Sequence, residues 1–208
     1  MAAWALSEIR AAEALPALLN YTHDASPGMR KQVVWALATC RADSVDKALM
    51  DSAHQEVLNA LGDPDADVRS AALLAIQQLG YRGAADAIVR LARDPVPEVR
   101  YVAVQALGHI TAKTHTGNVK AVSPVMRERI IGVLIDRVAE DPYQSIRIKA
   151  MRSLGIAGAK TAIPELERIE RAGEDKSRIE ARRALDAIRA SSDREMPRKS
   201  LVGDNQGP

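Results

Sequence analysis

One motif recurs along this chain and limits what it can fold into. An apolar residue is followed by Arg, two variable residues, a small apolar residue, two more variable residues, and a small-plus-large pair. It occurs as Met29-Arg30 with Val33, Ala36 and Leu37, and again as Val68-Arg69 with Ala72, Ala75 and Ile76. Three more copies follow: Val99-Arg100 with Ala103, Ala106 and Leu107; Ile146-Arg147 with Ala150, Ser153 and Leu154; Ser177-Arg178 with Ala181, Ala184 and Leu185. A truncated copy opens the chain at Ala2, Ala5, Leu6 and Ile9. Ala5 to Ala36, Ala75 to Ala106, and Ser153 to Ala184 are each 31 residues, whereas Ala36 to Ala75 and Ala106 to Ser153 are 39 and 47. The longer intervals are one period plus insertions of 8 and 16, assigned to loops near 43–51 and 111–124. Repeat arrays tolerate insertions at such edges.

Within each copy the apolar residues fall on one face of a 3.6-residue helix. A shorter apolar stretch precedes each copy, such as Leu15 to Tyr21, Val57 to Leu61, Ile88 to Leu91, Ile130 to Val138 and Ile163 to Ile169, so each unit reads as two antiparallel helices. One such pair cannot bury its apolar stripe alone, and neighbours must stack. The boundaries are marked by Ser26-Pro27, Asp65 and Pro97 at helix starts, and by Gly80 and Gly158 at helix ends. The chain has no Phe and only 3% aromatic residues, so the core must come from Ala, Leu, Ile and Val. Residues 1–190 are expected to form one array, and the polar stretch 191–208 a disordered tail. Because the chain starts inside a second helix, the array opens either with a half repeat or as a piece of a longer one.

The pattern resembles HEAT repeats, and in particular the short HEAT-like repeats associated with phycobilin lyases. The turn residues carry the likeness: an Asp stands six residues before the Arg in four copies, as Asp24 and Arg30, Asp63 and Arg69, Asp94 and Arg100, Asp141 and Arg147. The resemblance implies that these residues form a hydrogen-bonded ladder between neighbouring units. Pro16 and Pro164 match the proline common in the family's first helix. The last copy departs from the pattern with Ala172 where the Asp should be, which suits a terminal, capping repeat. The implied fold is an all-α, right-handed, armadillo-like solenoid of about five helix pairs plus the N-terminal half repeat. The fold alone assigns no function. Related arrays serve as lyase subunits, scaffolds, DNA-repair glycosylases and hydroxylases.

Chemistry-bearing residues are sparse. The four histidines, His23, His54, His109 and His115, occupy different repeat positions and form no His-Glu dyad or HExxH element. Cys40 stands at a core position held elsewhere by Leu79 and Ile110, so it reads as a small buried apolar residue. Asp63, Asp65 and Asp67 alternate in a turn but lack the bidentate Glu of a calcium loop, and capping explains them better. Catalytic residues, metal ligands and cofactors are therefore not assigned, and the chain reads as a binding protein. With 29 basic and 27 acidic residues it lacks the charge of a dedicated nucleic-acid binder, although Arg152, Arg178, Arg182, Arg183 and Arg189 gather late in the chain. Its first residues lack the basic start and long apolar run expected of a signal peptide, and no apolar run is long enough for a bilayer. The single cysteine suits a reducing compartment, and the expected location is cytoplasmic.

The remaining surface of interest is the inner face. Positions two, five, six and nine after the leading residue lie opposite the core stripe. The sixth holds Trp4, Trp35, Leu74, Gln105, Arg152 and Arg183; the second includes Lys31, Ser70 and Tyr101; the fifth includes Val34, Leu73, Val104, Met151 and Arg182. Trp, Tyr and Arg are enriched at binding hot spots. The expected function is capture of a protein partner, alone or within a larger complex. Trp4, Trp35, Leu74, Tyr101 and Val104 would serve as anchors, and Arg152, Arg182 and Arg183 as a clamp for acidic groups. The alternatives are a bilin lyase-type subunit or chromophore-protein chaperone, and a nucleic-acid-binding solenoid. Stacking of neighbouring helices competes for the same residues, since positions five and six also face the adjacent repeat.

Overall fold

Each described copy of the motif folds as the second of two helices. A computed structural model describes residues 14–40, 46–112 and 122–195. Among these residues there are ten α-helices and no strand. They pair as α1 (Leu15–Leu19) with α2 (Pro27–Thr39), α3 (Lys47–Asn59) with α4 (Ala66–Leu79), and α5 (Ala85–Leu91) with α6 (Pro97–Thr111). The array continues with α7 (Pro124–Glu140) and α8 (Gln144–Ala157), and ends with α9 (Ile163–Ala172) and α10 (Asp175–Glu195).

Local chemistry sets the boundaries. The Ser26 hydroxyl accepts from the Met29 amide at 3.4 Å, just before Pro27 begins α2. The Asp65 carboxylate accepts from the Asp67 and Val68 amides at 2.9 and 3.2 Å and starts α4. Ser123 caps α7 in the same way, accepting from Met126. Helices α4 and α8 end on Gly80 and Gly158, both at φ 63°, where a residue with a Cβ would be strained.

The second helices α2, α4, α6, α8 and α10 pack against one another in series, while the first helices meet each other much less. A layer whose members touch along their length must be the inner one of a curved stack, so the second helices line the concave side. Their motif residues form the continuous core: Val33, Ala72, Ala103, Ala150 and Ala181 are all fully buried. Small residues let these helices approach closely. A Cβ on Gly108 would stand 2.5 Å from Ser153 Oγ, and one on Gly155 would stand 3.1 Å from the Ala184 Cα. Ser153 Oγ donates to the Val104 carbonyl at 2.9 Å, so the hydroxyl at this core position is satisfied across the joint.

Three sequence expectations are revised or fall outside the described residues. The insertion placed in a loop at 43–51 is helical from Lys47 onward, because much of the extra length goes into α3, which has 13 residues against 7 in α5. The 111–124 insertion likewise feeds α7, which has 17 residues from Pro124, and α6 runs to Thr111. A repeat can lengthen its outer helix without disturbing the inner stack. The polar stretch expected to be disordered from 191 is helical as far as Glu195, where α10 ends. The N-terminal half repeat, including Trp4, residues 41–45 and 113–121, and the end from residue 196 lie outside the described residues.

Candidate partner-binding groove

The turn edge and the concave face carry different chemistry. On the turn edge, the guanidinium groups of Arg30, Arg69 and Arg100 each bridge two repeats, while Arg147 bonds only within its own turn. Arg30 Nε and Nη2 donate to the Asp63 carboxylate, both at 2.8 Å, and Arg69 does the same to Asp94 at 2.9 Å. Arg100 donates to Asp141 at 2.8 and 3.3 Å. Each Asp also accepts from the amide two residues on: Asp24 from Ser26, Asp63 from Asp65, Asp94 from Val96 and Asp141 from Tyr143. Burial pushes the Asp63 carboxyl up, but the Arg30 fork, the Asp65 amide and the charges of Arg30 and Arg69 outweigh it. The net effect holds Asp63 below the ordinary carboxylate value. Bidentate Arg–carboxylate pairs fix direction as well as distance, so this edge sets the register of the stack.

Sequence reading missed a second fastening. Arg127 on α7 donates to the Thr111 carbonyl at 2.9 Å and to the Ala157 carbonyl, joining the C-terminal ends of α6 and α8. Helix ends leave carbonyls without intrahelical partners, and a guanidinium can serve two at once. No motif announces this arginine, because it lies beside the insertion that breaks the repeat.

On the concave face, position five is not a surface. Val34, Leu73, Val104 and Met151 are buried, with Val104 at 0% exposure. Val104 is therefore a core residue and is withdrawn as a partner anchor, because the next second helix packs over this register. Arg182 holds the same position in α10, the last described helix. There it pairs with Glu170 at 2.8 Å and sits with Ile179 and Asp186 on the end surface, outside the groove. That end surface is closed by further ion pairs, including Arg189 with Glu167 and Arg178 with Asp175.

Position six forms the floor of the groove, where each residue leans toward position three of the next helix. Gln105 accepts from Lys149 at 3.1 Å, and Arg152 donates to Glu180 at 2.8 and 2.9 Å. In the same register Trp35 aligns with Ala71 and Leu74 with Val102. Trp35, Leu74 and Tyr101 are half-buried. Lys149 Nζ lies 4.6 Å from the centre of the Tyr101 ring, a cation–π distance. Position ten, which sequence reading left out, is exposed in every described copy: Thr39, Gln78, His109, Ile156 and Ala187. Ile156 is 52% exposed. Its signal was legible as an apolar residue facing away from the motif stripe.

The arginine clamp is largely self-paired. Arg152 and Arg183 share Glu180, the latter at 3.5 Å. The Arg152 hydrogen bond holds the Glu180 carboxyl below its ordinary value. Cys40 is half-buried, and burial pushes its thiol up, which opposes the thiolate form. Among the described residues, no group of three or more His, Cys, Asp or Glu side chains is arranged to hold a metal, and no helix is long and apolar enough to cross a membrane.

Stacked helix pairs with an Asp–Arg ladder define an α-solenoid of the armadillo and HEAT class. The family model for HEAT repeats matches residues 54–130, and that for the PBS lyase HEAT-like repeat matches residues 1–24. No curated protein matches the chain in sequence. Among solved structures, an engineered protein is similar at TM-score 0.62 and 19% identity, over 91% of this chain and 89% of that one. A designed armadillo repeat protein in complex with the peptide (KR)4 is similar at TM-score 0.61 and 20% identity, over 90% and 91%. The CpcE and CpcF complex of phycocyanin lyase from Nostoc sp. PCC7120 reaches TM-score 0.61 at 20% identity, over 84% of this chain and 64% of that one. Identities this low establish the shared fold alone.

Proposed function

We propose that the chain is a protein-interaction module whose concave groove takes an extended or helical segment of a partner. The observation that carries this reading is that half-buried Trp35 and Leu74 hold position six on successive second helices, with half-buried Tyr101 one turn earlier on the next and exposed Ile156 at position ten of α8. A solvated face would ordinarily be polar, and contiguous apolar exposure marks binding surfaces. Trp4 would extend the line in the same register. Arg152 and Arg183 share one carboxylate, which leaves a single net positive charge for an acidic group of the partner. A designed solenoid of the same fold holds a peptide, which is compatible with this use. The test is selection from a random peptide library on the immobilised protein, followed by titration of the enriched peptides. Trp35→Ala with Leu74→Ala should cost about tenfold or more in affinity, the scale of hot-spot residues. Far-ultraviolet circular dichroism should be unchanged. Absence of any enriched peptide, or loss of helicity in the double variant, would count against the groove.

The match of residues 1–24 to the PBS lyase HEAT-like repeat supports a second reading, a subunit that handles a bilin-bearing protein. Co-expression with a phycobiliprotein and bilin, read by absorbance, tests it; no pigment adduct and no bound pigment would remove it. A nucleic-acid role finds less support, because Arg152, Arg178, Arg182 and Arg189 each carry a carboxylate partner.

A further inference from the structure

Five arginines share one place in the repeat; of the four preceded by an Asp at six residues, one meets no aspartate from the next unit. In Arg30, Arg69, Arg100 and Arg147, Nη1 donates to the carbonyl of the aspartate that opens its own turn, at 2.8 to 2.9 Å. A further bond to the following carbonyl, at 3.0 to 3.3 Å, completes the grip. These bonds hold the planar group the same way in all four copies, so the Nε–Nη2 edge faces the following repeat. For Arg30, Arg69 and Arg100 that edge receives Asp63, Asp94 and Asp141. For Arg147 the matching residue is Ala172, and Arg147 makes no ion pair among the described residues.

Arg147 lines a cavity of about 270 Å³ beside the turn between α9 and α10, with Val138, Met151 and Ile169 among its apolar walls. Ser177 lines the same cavity. It takes the leading position that Met29, Val68, Val99 and Ile146 hold in the other copies. Only 6% of it is exposed, and its hydroxyl has no hydrogen-bond partner among the described residues. Two other charged groups border the space. Arg168 is held by Glu165 in a two-point pair, and Glu174 accepts from Gln144 at 2.5 Å.

We propose that this cavity is a carboxylate-binding site. A ligand carboxylate would take the Nε–Nη2 edge of Arg147 as the aspartates take theirs in the earlier copies. Ser177 Oγ donates to the same group, and the ligand's short apolar stem rests on Val138, Met151 and Ile169. The volume falls below that of pockets for drug-sized molecules, about 300 to 1,000 Å³, and suits a group the size of an acidic side chain. A planar guanidinium favours a carboxylate over a spherical anion, and the negative Glu174 at the rim disfavours a phosphate dianion. The site lies on the turn edge, so it is independent of the groove.

The test follows the Arg147 Nε–Hε resonance in ¹⁵N–¹H spectra of the full chain, assigned by Arg147→Lys. The probes are sodium acetate, an acetyl-Ala-Asp-Pro-Ala-amide peptide, inorganic phosphate, and sodium chloride at matched ionic strength. A saturable shift with the carboxylates and none with chloride is expected. Arg147→Lys should weaken binding about tenfold or more, read at the Ser177 amide, and Ser177→Ala about threefold to tenfold. Ala172→Asp, which supplies the carboxylate from within the chain, should abolish the response. Equal affinity for acetate and peptide identifies a free small acid as the ligand; tighter binding of the peptide identifies an acidic residue of a partner. No saturable shift with either carboxylate, an equal shift with chloride, or tighter binding of phosphate would overturn the assignment.

Discussion

Between α2 and α4, α4 and α6, and α6 and α8, an arginine on the turn edge grips the aspartate of the next repeat. Between α8 and α10 the bidentate grip moves to the groove edge, where Arg152 meets Glu180. The two solutions differ in their surroundings. The ladder side chains are 13% exposed or less, falling to 8% and 0% for Arg100 and Asp141, whereas the Arg152 side chain is half exposed. A buried pair depends on both partners, since loss of one strands the other charge in a poor solvent. An exposed pair is screened and contributes little. The fourth joint relies instead on close backbone packing at Gly155 and Ala184. Register can thus be held at either edge of the stack, but only the turn edge makes the hold deep.

The sharpest way to break this comparison is to remove the ladder where it is most buried. Arg100→Ala should cost about 3–5 kcal/mol in urea unfolding, the scale of an orphaned buried charge. Arg30→Ala should cost less, since that pair is more exposed. If the two cost the same, burial does not rank the rungs. Next in size is Gly108→Ala, whose new Cβ would stand 2.8 Å from Ser153 Cβ and 3.0 Å from its Cα. Overpacking of this kind costs about 1–3 kcal/mol, read as a fall in melting temperature.

Smaller again is Glu180→Gln, expected to cost about 1 kcal/mol or less because its partner is half exposed. This variant also tests pH dependence. Asp63 and Glu180 both have folded values held below the ordinary carboxylate value. Their stabilisation is present above the ordinary value and is lost as the pH falls through the lowered folded value. Acid should therefore weaken the fold, and Glu180→Gln should flatten the acid limb of the stability curve relative to the parent. An unchanged limb would mean that the groove pair adds nothing. The smallest expected effect has the opposite sign. Ala172→Asp, adding a fourth rung opposite Arg147, should raise stability by about 1 kcal/mol, since the pair would be only partly buried.

Much of this was legible in the residues themselves. The motif spacing identified the second helices, and Ser26, Asp65, Gly80 and Gly158 marked their ends, because caps and left-handed glycines are local chemistry. The Asp six residues before four of the motif arginines, read through the resemblance to HEAT repeats, implied a ladder, of which Arg30, Arg69 and Arg100 form the rungs. The outer helices were harder to bound, since α3 and α7 absorb the insertions with no fixed period. The groove was read only in part. Trp35 and Leu74 were placed in one column, but Val104 was misassigned and Ile156 overlooked, because a helical wheel cannot say which side the neighbour covers.

What the sequence determined alone is whatever depends on a single helix or turn: helix type, boundaries, the core stripe and the residue types at each rung. What only the tertiary structure decided is which partner each exposed group meets. Position five is core in α2 to α8 and surface in α10, although the register is identical. Arg147 and Arg100 occupy the same place in the motif, and only the following repeat makes one a rung and leaves the other facing a cavity. The physical reason is that stacking interactions join residues about one repeat apart, and a side chain's burial depends on the unit that follows it as much as on its own.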